Sequence, residues 1–531
     1  MSHKRFETGL TLGDARTSRR NFLGGASALG MGLGAGLGLG SVGLPATAQP
    51  KKGGTIRVAC HQGGTGDSLD PATYTDIFML SVGFGTHGSL TEISPDGDLV
   101  GDLAESWEAS ADAKAWTFKI RKGVTFSDGK TLDADDVIAS INHHRGEDSK
   151  SAAKSNVDPI ADMKKIDANT VVFELHDSNA DFPYLMADYH LLIMPAVDGK
   201  ADWENYIGTG GYVLEDFEPG IRATLTRNPN YWKPDRAHLD RIELLAILDP
   251  AARQNALISG EVDYISGVDL KTVSLLARRP GLEIEESTGF LHYTAPMITT
   301  NSPYDNNELR LAIKHGINRE ELMQKILRGH GTIGNDNPIA PTVPFWADLP
   351  QRSYDPDKAK FHLKNAGYEN VTLDLSASDG AYQGAVDAAV LMKEHLAVAG
   401  MDVNVVREPA DGYWSNVWMK KDWCQCYWGG RPTCDWMFSQ AYADGASWND
   451  TYWANARFNE LLAMGRSELD ASVRGEIYGE MQQIVHDDGG VVVWGFANYV
   501  NAKNDKVMRG PNQAANWNLD GGRFMERWWM A

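Results

Sequence analysis

Residues 413–453 hold the side chains best suited to recognising a small molecule. Gly429, Gly430 and Pro432 surround Arg431, which predicts a bend where backbone segments approach closely and a guanidinium lies off any helix face. Aromatic rings supply large apolar faces at low rotamer cost, as the wall of a ligand cleft requires. The segment therefore predicts that these rings line a ligand cleft. The alternative for each ring is that it belongs to a hydrophobic core beneath a loop. The rings are Tyr413, Trp414, Trp418, Trp423, Tyr427, Trp428, Trp436, Phe438, Tyr442, Trp448, Tyr452 and Trp453.

No motif of the sequence indicates catalysis or a bound metal. The H-E-x-x-H and G-x-S-x-G motifs and the phosphate-binding P-loop are missing, and no cysteines have the C-x2-C spacing common in zinc sites. We therefore expect no enzymatic activity, no cofactor and no metal. A disulfide from Cys434 to Cys424 or Cys426 stays open, because the three cysteines lie close in sequence.

The composition is that of a large folded protein with an acidic surface. The chain has 531 residues, of which 42% are hydrophobic, so it can bury an ample core and divide into at least two lobes. Its net charge is −21, and because residues 1–48 contribute +3, residues 49–531 carry −24. Such a charge disfavours nucleic acids and anionic lipids as partners.

The N-terminal residues resemble a twin-arginine export signal. Arg19 and Arg20 precede a weakly apolar, glycine-rich run at 23–44, and Ala-Thr-Ala at 46–48 matches the small-residue pattern of a cleavage site. A membrane anchor would need ~20 strongly apolar residues. No cysteine at the cleavage point offers a lipid anchor. We therefore expect a periplasmic protein whose mature chain begins near Gln49.

Alternating helix and strand patterns predict an α/β protein with mixed sheets. Asp133, Asp249 and Asp355 each precede a helical pattern and suit the N-cap position, where a carboxylate accepts backbone N–H groups. Between the helices lie apolar, β-branched runs that predict strands. These runs are 171–175, 242–247 and 403–406.

A series of short motifs covers nearly the whole mature chain. In order they are S-L-D-P-A at 68–72, L-A-E-S-W-E at 103–108, F-K-I-R-K-G-V-T-F-S-D-G at 118–129, L-D-A-D-D-V at 132–137, G-T-G-G-Y at 208–212, R-N-P-N-Y-W at 227–232, R-Q-N-A-L-I-S-G-E-V-D at 253–263, L-R-L-A-I at 309–313, I-N-R-E at 317–320, Y-D-P-D-K-A at 354–359 and L-K-N-A-G-Y at 363–368. The series resembles the extracytoplasmic solute-binding proteins of peptide and nickel ABC transporters.

The resemblance implies a two-lobed periplasmic binding protein fold of the large type, with an extra subdomain in the first lobe. Lobe I would comprise 49–296, with the subdomain at about 87–200, and again 498–531. Lobe II would comprise 297–497. The lobes would close on a ligand, and a transporter that prefers the closed form would then receive loaded protein.

The resemblance also points to the site. Peptide-binding members carry a W-x-x-D segment whose aspartate holds the free amino group of the peptide. Here Trp428 takes the tryptophan position, but Arg431 takes that of the aspartate, so the charge is reversed. A guanidinium favours a carboxylate, a phosphate or another anion. Asp435 could still turn inward to the ligand, and an ion pair between Arg431 and Asp435 is the structural alternative.

Three further residues are implied as ligand contacts by position. Tyr427 directly precedes the motif, Tyr74 falls in the loop that supplies contacts from the first lobe, and Trp414 loosely matches a pocket aromatic. A ligand that carries an amine could contact Trp414 and Trp428 by cation–π interaction.

The resemblance implies the substrate-binding component of an ABC importer. It would capture a peptide-like or carboxylate-bearing solute and deliver it, as a monomer, to an inner-membrane permease and its ATPase. The alternative, which the signal alone suggests, is an exported enzyme or a cofactor- or haem-binding protein.

Overall fold

The computed structural model describes residues 49–410 and 412–531, so the predicted export signal lies outside the described residues. Its strands are β1 (Thr55–Cys60), β2 (Thr91–Ile93), β3 (Leu99–Gly101), β4 (Ala104–Ala109), β5 (Ala115–Ile120), β6 (Ile160–Asp167), β7 (Thr170–Leu175), β8 (Ala196–Val197), β9 (Lys200–Ala201), β10 (Tyr212–Glu218), β11 (Arg222–Arg227), β12 (Arg241–Ala246), β13 (Tyr264–Ile265), β14 (Leu282–Pro296), β15 (Gly331–Ile333), β16 (Val371–Ala377), β17 (Met401–Arg407), β18 (Cys426–Trp428), β19 (Val491–Asn504), β20 (Val507–Met508) and β21 (Trp529–Met530). The three predicted strands are confirmed as β7, β12 and β17, although the predicted run 242–247 extends one residue beyond the end of β12.

The helices are α1 (Ile77–Thr86), α2 (Ala134–Asn142), α3 (Lys154–Val157), α4 (Phe182–Leu185), α5 (Pro250–Ser259), α6 (Val273–Leu276), α7 (Asn307–His315), α8 (Arg319–Lys325), α9 (Pro356–Asn365), α10 (Ala385–Ala397), α11 (Tyr413–Asn416), α12 (Cys434–Ala441), α13 (Ala456–Ser467), α14 (Ala471–Asp488), α15 (Asn518–Gly521) and α16 (Phe524–Arg527). The three predicted caps are confirmed: Asp133, Asp249 and Asp355 accept backbone N–H groups at the starts of α2, α5 and α9. Within the described residues, no helix is both long and apolar enough to cross a membrane.

The largest sheet has nine strands and mixes parallel with antiparallel pairs, as predicted. Its order is β10-β11-β12-β1-β13-β19-β14-β18, and β15 also pairs with β19. β1 is parallel to β12 and β13, whereas β19 runs antiparallel to β13 and β14. A separate antiparallel sheet, β4-β5-β7-β6, lies within the segment at about 87–200 and packs on a core of its own that includes Phe118 and Phe173.

Two long strands connect separate cores. β14 and β19 pair antiparallel over most of their lengths, with irregularities between Thr288 and His292 and between Tyr293 and Thr294. At one end of the pair, Val500 and Ala502 join the core that includes Ala59. At the other end, residues of the two strands join the core formed by α7 to α10 and by β16 and β17. The pair therefore bridges the cores.

The C-terminal residues complete the core of the N-terminal strands. Phe524, Met525 and Trp528 pack with Ile56 and Val58 in one buried cluster. Charged side chains fix this segment further, since Arg527 donates to Glu92 at 3.0 Å and Arg523 lies 3.4 Å from Asp102. Both ends of the described chain thus belong to one folded unit.

The four cysteines are buried and free. Cys424 lies in the core that contains Trp423, whereas Cys434 lies in the core that contains Phe438. The structure therefore contains no bridge from Cys434 to Cys424 or Cys426.

Candidate functional site

A cleft of ≈ 650 Å³ is lined by the aromatic segment. Its walls come from the loop after β1, the start of α1, the loop before α10, β14, β18, β19 and the residues before α15. The size suits a small molecule, and the walls combine apolar rings with a few charged groups. The lining residues are His61, Gln62, Thr75, Asp76, Ile77, Leu80, Tyr189, Leu291, Tyr293, Gly380, Ala381, Tyr382, Gln383, Trp414, Trp418, Tyr427, Trp428, Gly429, Arg431, Trp448, Tyr499, Trp517 and Asn518.

The predicted bend holds Arg431 between a strand and a helix. β18 ends at Trp428, and α12 begins at Cys434 after Thr433, whose hydroxyl accepts the backbone N–H of Trp436. Gly430 has φ +68°, and a Cβ at this position would lie 2.1 Å from Cβ of Phe290. Only glycine fits both requirements. The prediction of a close backbone approach is confirmed, and the bend directs Arg431 into the cleft.

Arg431 contacts the protein through neutral groups. Its Nε donates to Oε1 of Gln440 at 2.6 Å, and its Nη1 donates to the Gly430 carbonyl at 2.6 Å. The guanidinium lies 5.6 Å from the ring centre of Trp436. Within residues 49–410 and 412–531, no carboxylate forms an ion pair with it, and burial lowers the pKa of Arg431. The cleft therefore carries a positive charge that no described side chain neutralises at close range.

Asp435 faces a different cavity. Its Oδ1 accepts from Nε of Arg466 at 2.8 Å and from Ser439 at 3.2 Å. The expected alternative, an ion pair between Arg431 and Asp435, is therefore not present. Asp435 lies in the first turn of α12, where its carboxylate faces Arg466 and lines a neighbouring cavity of ≈ 580 Å³.

Five rings form one continuous surface of the cleft, which we call the aromatic wall: Trp414, Trp418, Tyr427, Trp428 and Trp448. Trp414 meets Trp418 at 5.8 Å and Tyr427 at 5.5 Å between ring centres. Trp418 meets Trp428 and Trp448 at 6.2 and 6.4 Å, and Trp428 meets Trp448 at 6.0 Å. The predicted residues Trp414, Tyr427 and Trp428 are thus brought together with Arg431.

A buried carboxylate holds two of these rings. Oδ2 of Asp450 accepts from Nε1 of Trp418 at 3.1 Å and from Nε1 of Trp428 at 3.2 Å. Burial raises the pKa of Asp450 to about 6, against an ordinary value of 3.8. The sequence interpretation did not select Asp450. The one signal that could have drawn attention to it is an acidic residue between Trp448 and Trp453 in the aromatic segment.

Tyr74 lies beneath the cleft surface. Its hydroxyl forms hydrogen bonds with the Tyr206 hydroxyl at 2.9 Å and with the Leu69 carbonyl at 3.2 Å, and the side chain is buried in the N-terminal core. The next two residues, Thr75 and Asp76, line the cleft instead. The predicted loop therefore reaches the cleft, but the Tyr74 side chain does not line it.

Two titratable groups stand at the loop side of the cleft. Asp76 caps α1 by accepting the backbone N–H of Met79 at 2.9 Å, and burial together with the nearby Asp67 raises its pKa. Burial lowers the pKa of His61 to about 4, with a further contribution from Arg253, so His61 is neutral at pH 7. Among the described residues, Asp76 and Arg431 are therefore the acidic and the basic side chain that line the cleft.

The chain is similar to known binding proteins along most of its length. Residues 98–450 match the family model described as bacterial extracellular solute-binding proteins, family 5 Middle. A glutathione-binding protein GsiB of Pectobacterium atrosepticum is 24% identical over 461 residues, which are 84% of this chain and 89% of that protein. The GsiB protein of Escherichia coli strain K12 is 24% identical over 434 residues, 79% of this chain and 84% of that protein.

Solved structures share the fold. The binding protein AgaA from A. tumefacien R10, in complex with agropinic acid, has a TM-score of 0.76 and 23% identity, covering 90% of this chain and 99% of that one. The protein DppA from Helicobacter pylori, in complex with the peptide STSA, has a TM-score of 0.75 and 23% identity, covering 91% of this chain and 99% of that one. The expected fold class, a mixed α/β binding protein of the large type, is thereby confirmed.

Proposed function

The chain belongs to the bacterial extracellular solute-binding proteins of family 5, and from that membership we propose that it captures a carboxylate-bearing solute in the cleft of Arg431. Proteins of this family are periplasmic substrate-binding components of ABC importers and not enzymes, and this chain is a substrate-binding component of an ABC importer. The observation that carries the choice of ligand is the guanidinium of Arg431, which lines the cleft without a carboxylate partner among the described residues.

The chemistry of Arg431 fits a planar anion. Nε and Nη1 are held by Gln440 and Gly430, which fixes the plane of the guanidinium before a ligand arrives. A charged hydrogen bond contributes ~1.5–3 kcal/mol, whereas micromolar binding requires ~8 kcal/mol in total. The anion contact therefore selects the ligand, and the apolar walls must supply most of the remaining free energy.

The ligands of similar proteins agree with this choice. GsiB proteins bind glutathione, AgaA was solved with agropinic acid, and DppA was solved with a peptide. Each of these compounds carries at least one carboxylate. The present chain departs from the usual peptide motif at Arg431, so we propose that it recognises the carboxylate end of its solute rather than a free amino terminus.

Lobe closure is part of the proposal. We assign 49–296 and 498–531 to lobe I and 297–497 to lobe II, and we expect β14 and β19 to act as the hinge because they bridge the cores. A monomer that closes on its solute would then dock on a membrane permease and its ATPase. We propose twin-arginine export as its route to the periplasm, and we propose that the chain has no catalytic activity of its own.

A thermal-shift screen of the purified protein tests the ligand class, since a compound that binds only the folded form raises the melting temperature. The compounds are free-amine peptides, N-blocked peptides, carboxylated amine conjugates, sugars and betaines. We expect stabilisation by carboxylates with a blocked or alkylated amine. Stabilisation by free-amine peptides alone, or by sugars alone, would contradict the assigned role of Arg431.

Variants of Arg431 test whether this residue is responsible for the response in the screen. Arg431→Ala should lose the response to every carboxylate hit, and Arg431→Lys should recover part of it because the charge returns without the planar fork. Arg466→Ala is the control, since Arg466 binds Asp435 in the neighbouring cavity. An equal loss in the Arg466 variant would place the carboxylate contact elsewhere.

A further inference from the structure

The aromatic wall has a negative charge directly behind it. Asp450 is 5% exposed, and its Oδ2 accepts the indole N–H groups of Trp418 and Trp428. In the part of the chain that the structure describes, no lysine, arginine or histidine forms an ion pair with Asp450. Its titratable neighbours include two thiols, since the charge of Asp450 helps to raise the pKa values of Cys424 and Cys426. Burying a carboxylate without a cation costs free energy of folding. We therefore expect the carboxylate of Asp450 to serve a function at this position.

The rings are arranged to enclose a group rather than to stack. Neighbouring ring planes in the aromatic wall differ by 51° to 78°, so their faces point in several directions. Trp414 is 41% exposed, Trp448 is 45% exposed and Tyr427 is 38% exposed, which leaves aromatic surface open to the cleft. A core cluster would bury such surface.

The electrostatics of the wall favour a cation. The face of an aromatic ring carries partial negative charge, and tryptophan binds cations best. When an indole N–H donates to a carboxylate, the ring is polarised further and its face becomes more negative. Trp418 and Trp428 are both polarised in this way by Asp450. The rings and the buried charge therefore act in the same direction.

We propose that the aromatic wall is a subsite for an alkylated ammonium group and that the solute is a zwitterion whose carboxylate lies against Arg431. The inference rests on the proposed function, because it assumes a ligand bound in the same cleft. Trp428 and Arg431 stand at either end of one short bend, and both line that cleft, so one small molecule can reach both.

The wall offers few hydrogen-bond acceptors, and this favours an ammonium group that is alkylated. A primary ammonium has three N–H donors that require partners, whereas the wall presents ring faces, and the buried Oδ2 of Asp450 already accepts two hydrogen bonds. A quaternary or tertiary ammonium leaves no more than one donor to satisfy. The wall therefore selects an ammonium that carries carbon substituents.

Two probes of the same shape separate charge from apolar contact. We would measure by calorimetry the binding of 4-(trimethylammonio)butanoate and of 5,5-dimethylhexanoate, in which a carbon atom replaces the ammonium nitrogen. Both carry the carboxylate for Arg431. The hydrophobic effect alone predicts tighter binding of the carbon analogue, since its tert-butyl group is harder to hydrate. A cation site predicts the opposite, with the ammonium compound bound at least about tenfold more tightly.

Equal or tighter binding of the carbon analogue would overturn the subsite while leaving the carboxylate contact intact. Binding of neither probe, in a protein that responds to other carboxylates, would overturn it as well. Arg431→Ala should weaken the binding of both probes by the same factor. If the proposed function is wrong, this variant will bind both probes as tightly as the native protein does, whereas a failure of the subsite changes only the ratio of the two affinities.

Variants of the wall test the two contributions separately. Asp450→Asn keeps the shape and one oxygen acceptor but removes the charge, and we expect the tenfold preference for the ammonium probe to fall to about threefold or less. Trp414→Leu removes an exposed ring and should lower the preference too. Trp346→Leu is the matched control, because Trp346 is 40% exposed and lines a different depression. An unchanged preference in both wall variants would refute the proposal.

Discussion

Replacing Asp450 by asparagine should stabilise the empty protein, and the gain should grow with pH. Burial raises the pKa of Asp450 from 3.8 to about 6 in the folded state. Between pH 3.8 and about pH 6, the carboxyl group of Asp450 has lost its proton in the unfolded chain but still holds it in the folded protein. The carboxyl group therefore lowers the free energy of unfolding as pH rises through this window, and the loss is complete above about pH 6. Asparagine does not ionise and avoids the loss.

The size of the effect follows from the pKa shift. One pKa unit corresponds to about 1.4 kcal/mol, so the shift of Asp450 costs about 3 kcal/mol once the group is ionised in both states. At pH 4.5 the same relation leaves a cost of only about 1 kcal/mol. The stability difference between Asp450→Asn and the native protein should thus increase by about 2 kcal/mol from pH 4.5 to pH 7.5.

Urea unfolding at the two pH values measures this increase directly. Any constant effect of the amide cancels, because only the change in the difference between the proteins is used. Asp402→Asn is the control, since Asp402 is exposed on β17 and forms no ion pair or side-chain hydrogen bond within the described residues. A difference that stays constant with pH, or one that shrinks, would show that Asp450 is not desolvated as the structure indicates.

Three further outcomes are expected. Arg431→Ala should weaken the binding of a carboxylate ligand by about tenfold or more without lowering the melting temperature of the empty protein, because it removes a buried charge that has no close carboxylate. A melting temperature that falls together with the affinity would make Arg431 structural. Gly430→Ala should destabilise the protein by about 2 kcal/mol more than Gly445→Ala, since both glycines have positive φ but only the Cβ at Gly430 would collide with Phe290; equal values in urea unfolding would refute this reasoning. A thiol reagent should detect four free cysteines after denaturation without reductant, and a count of two would reveal a disulfide.

The fold could be predicted because its signals are local. Asp133, Asp249 and Asp355 mark helix starts through hydrogen bonds to backbone groups two or three residues away, and such short-range contacts are readable from spacing. The bend at Gly430 was predictable for the same reason. Its exact requirement, the contact with Phe290, was not, because Phe290 lies far away in the sequence.

The parts of the site that escaped prediction depend on long-range contacts. Asp450 acts on Trp418 and Trp428, which precede it by 32 and 22 residues, and nothing in the spacing reveals this pairing. Asp435 turns to Arg466, 31 residues later. The Tyr74 hydroxyl is held by Tyr206, 132 residues later. In each case a partner from another element decides where the side chain points.

The packing of Phe524, Met525 and Trp528 into the N-terminal core determines when this core can fold. A ribosome makes Ile56 and Val58 early, but a nascent chain that has not reached Trp528 lacks part of the core that those residues require. Folding of this core therefore cannot finish before Trp528 has been synthesised. Any machinery that exports only folded cargo would therefore have to wait for this segment.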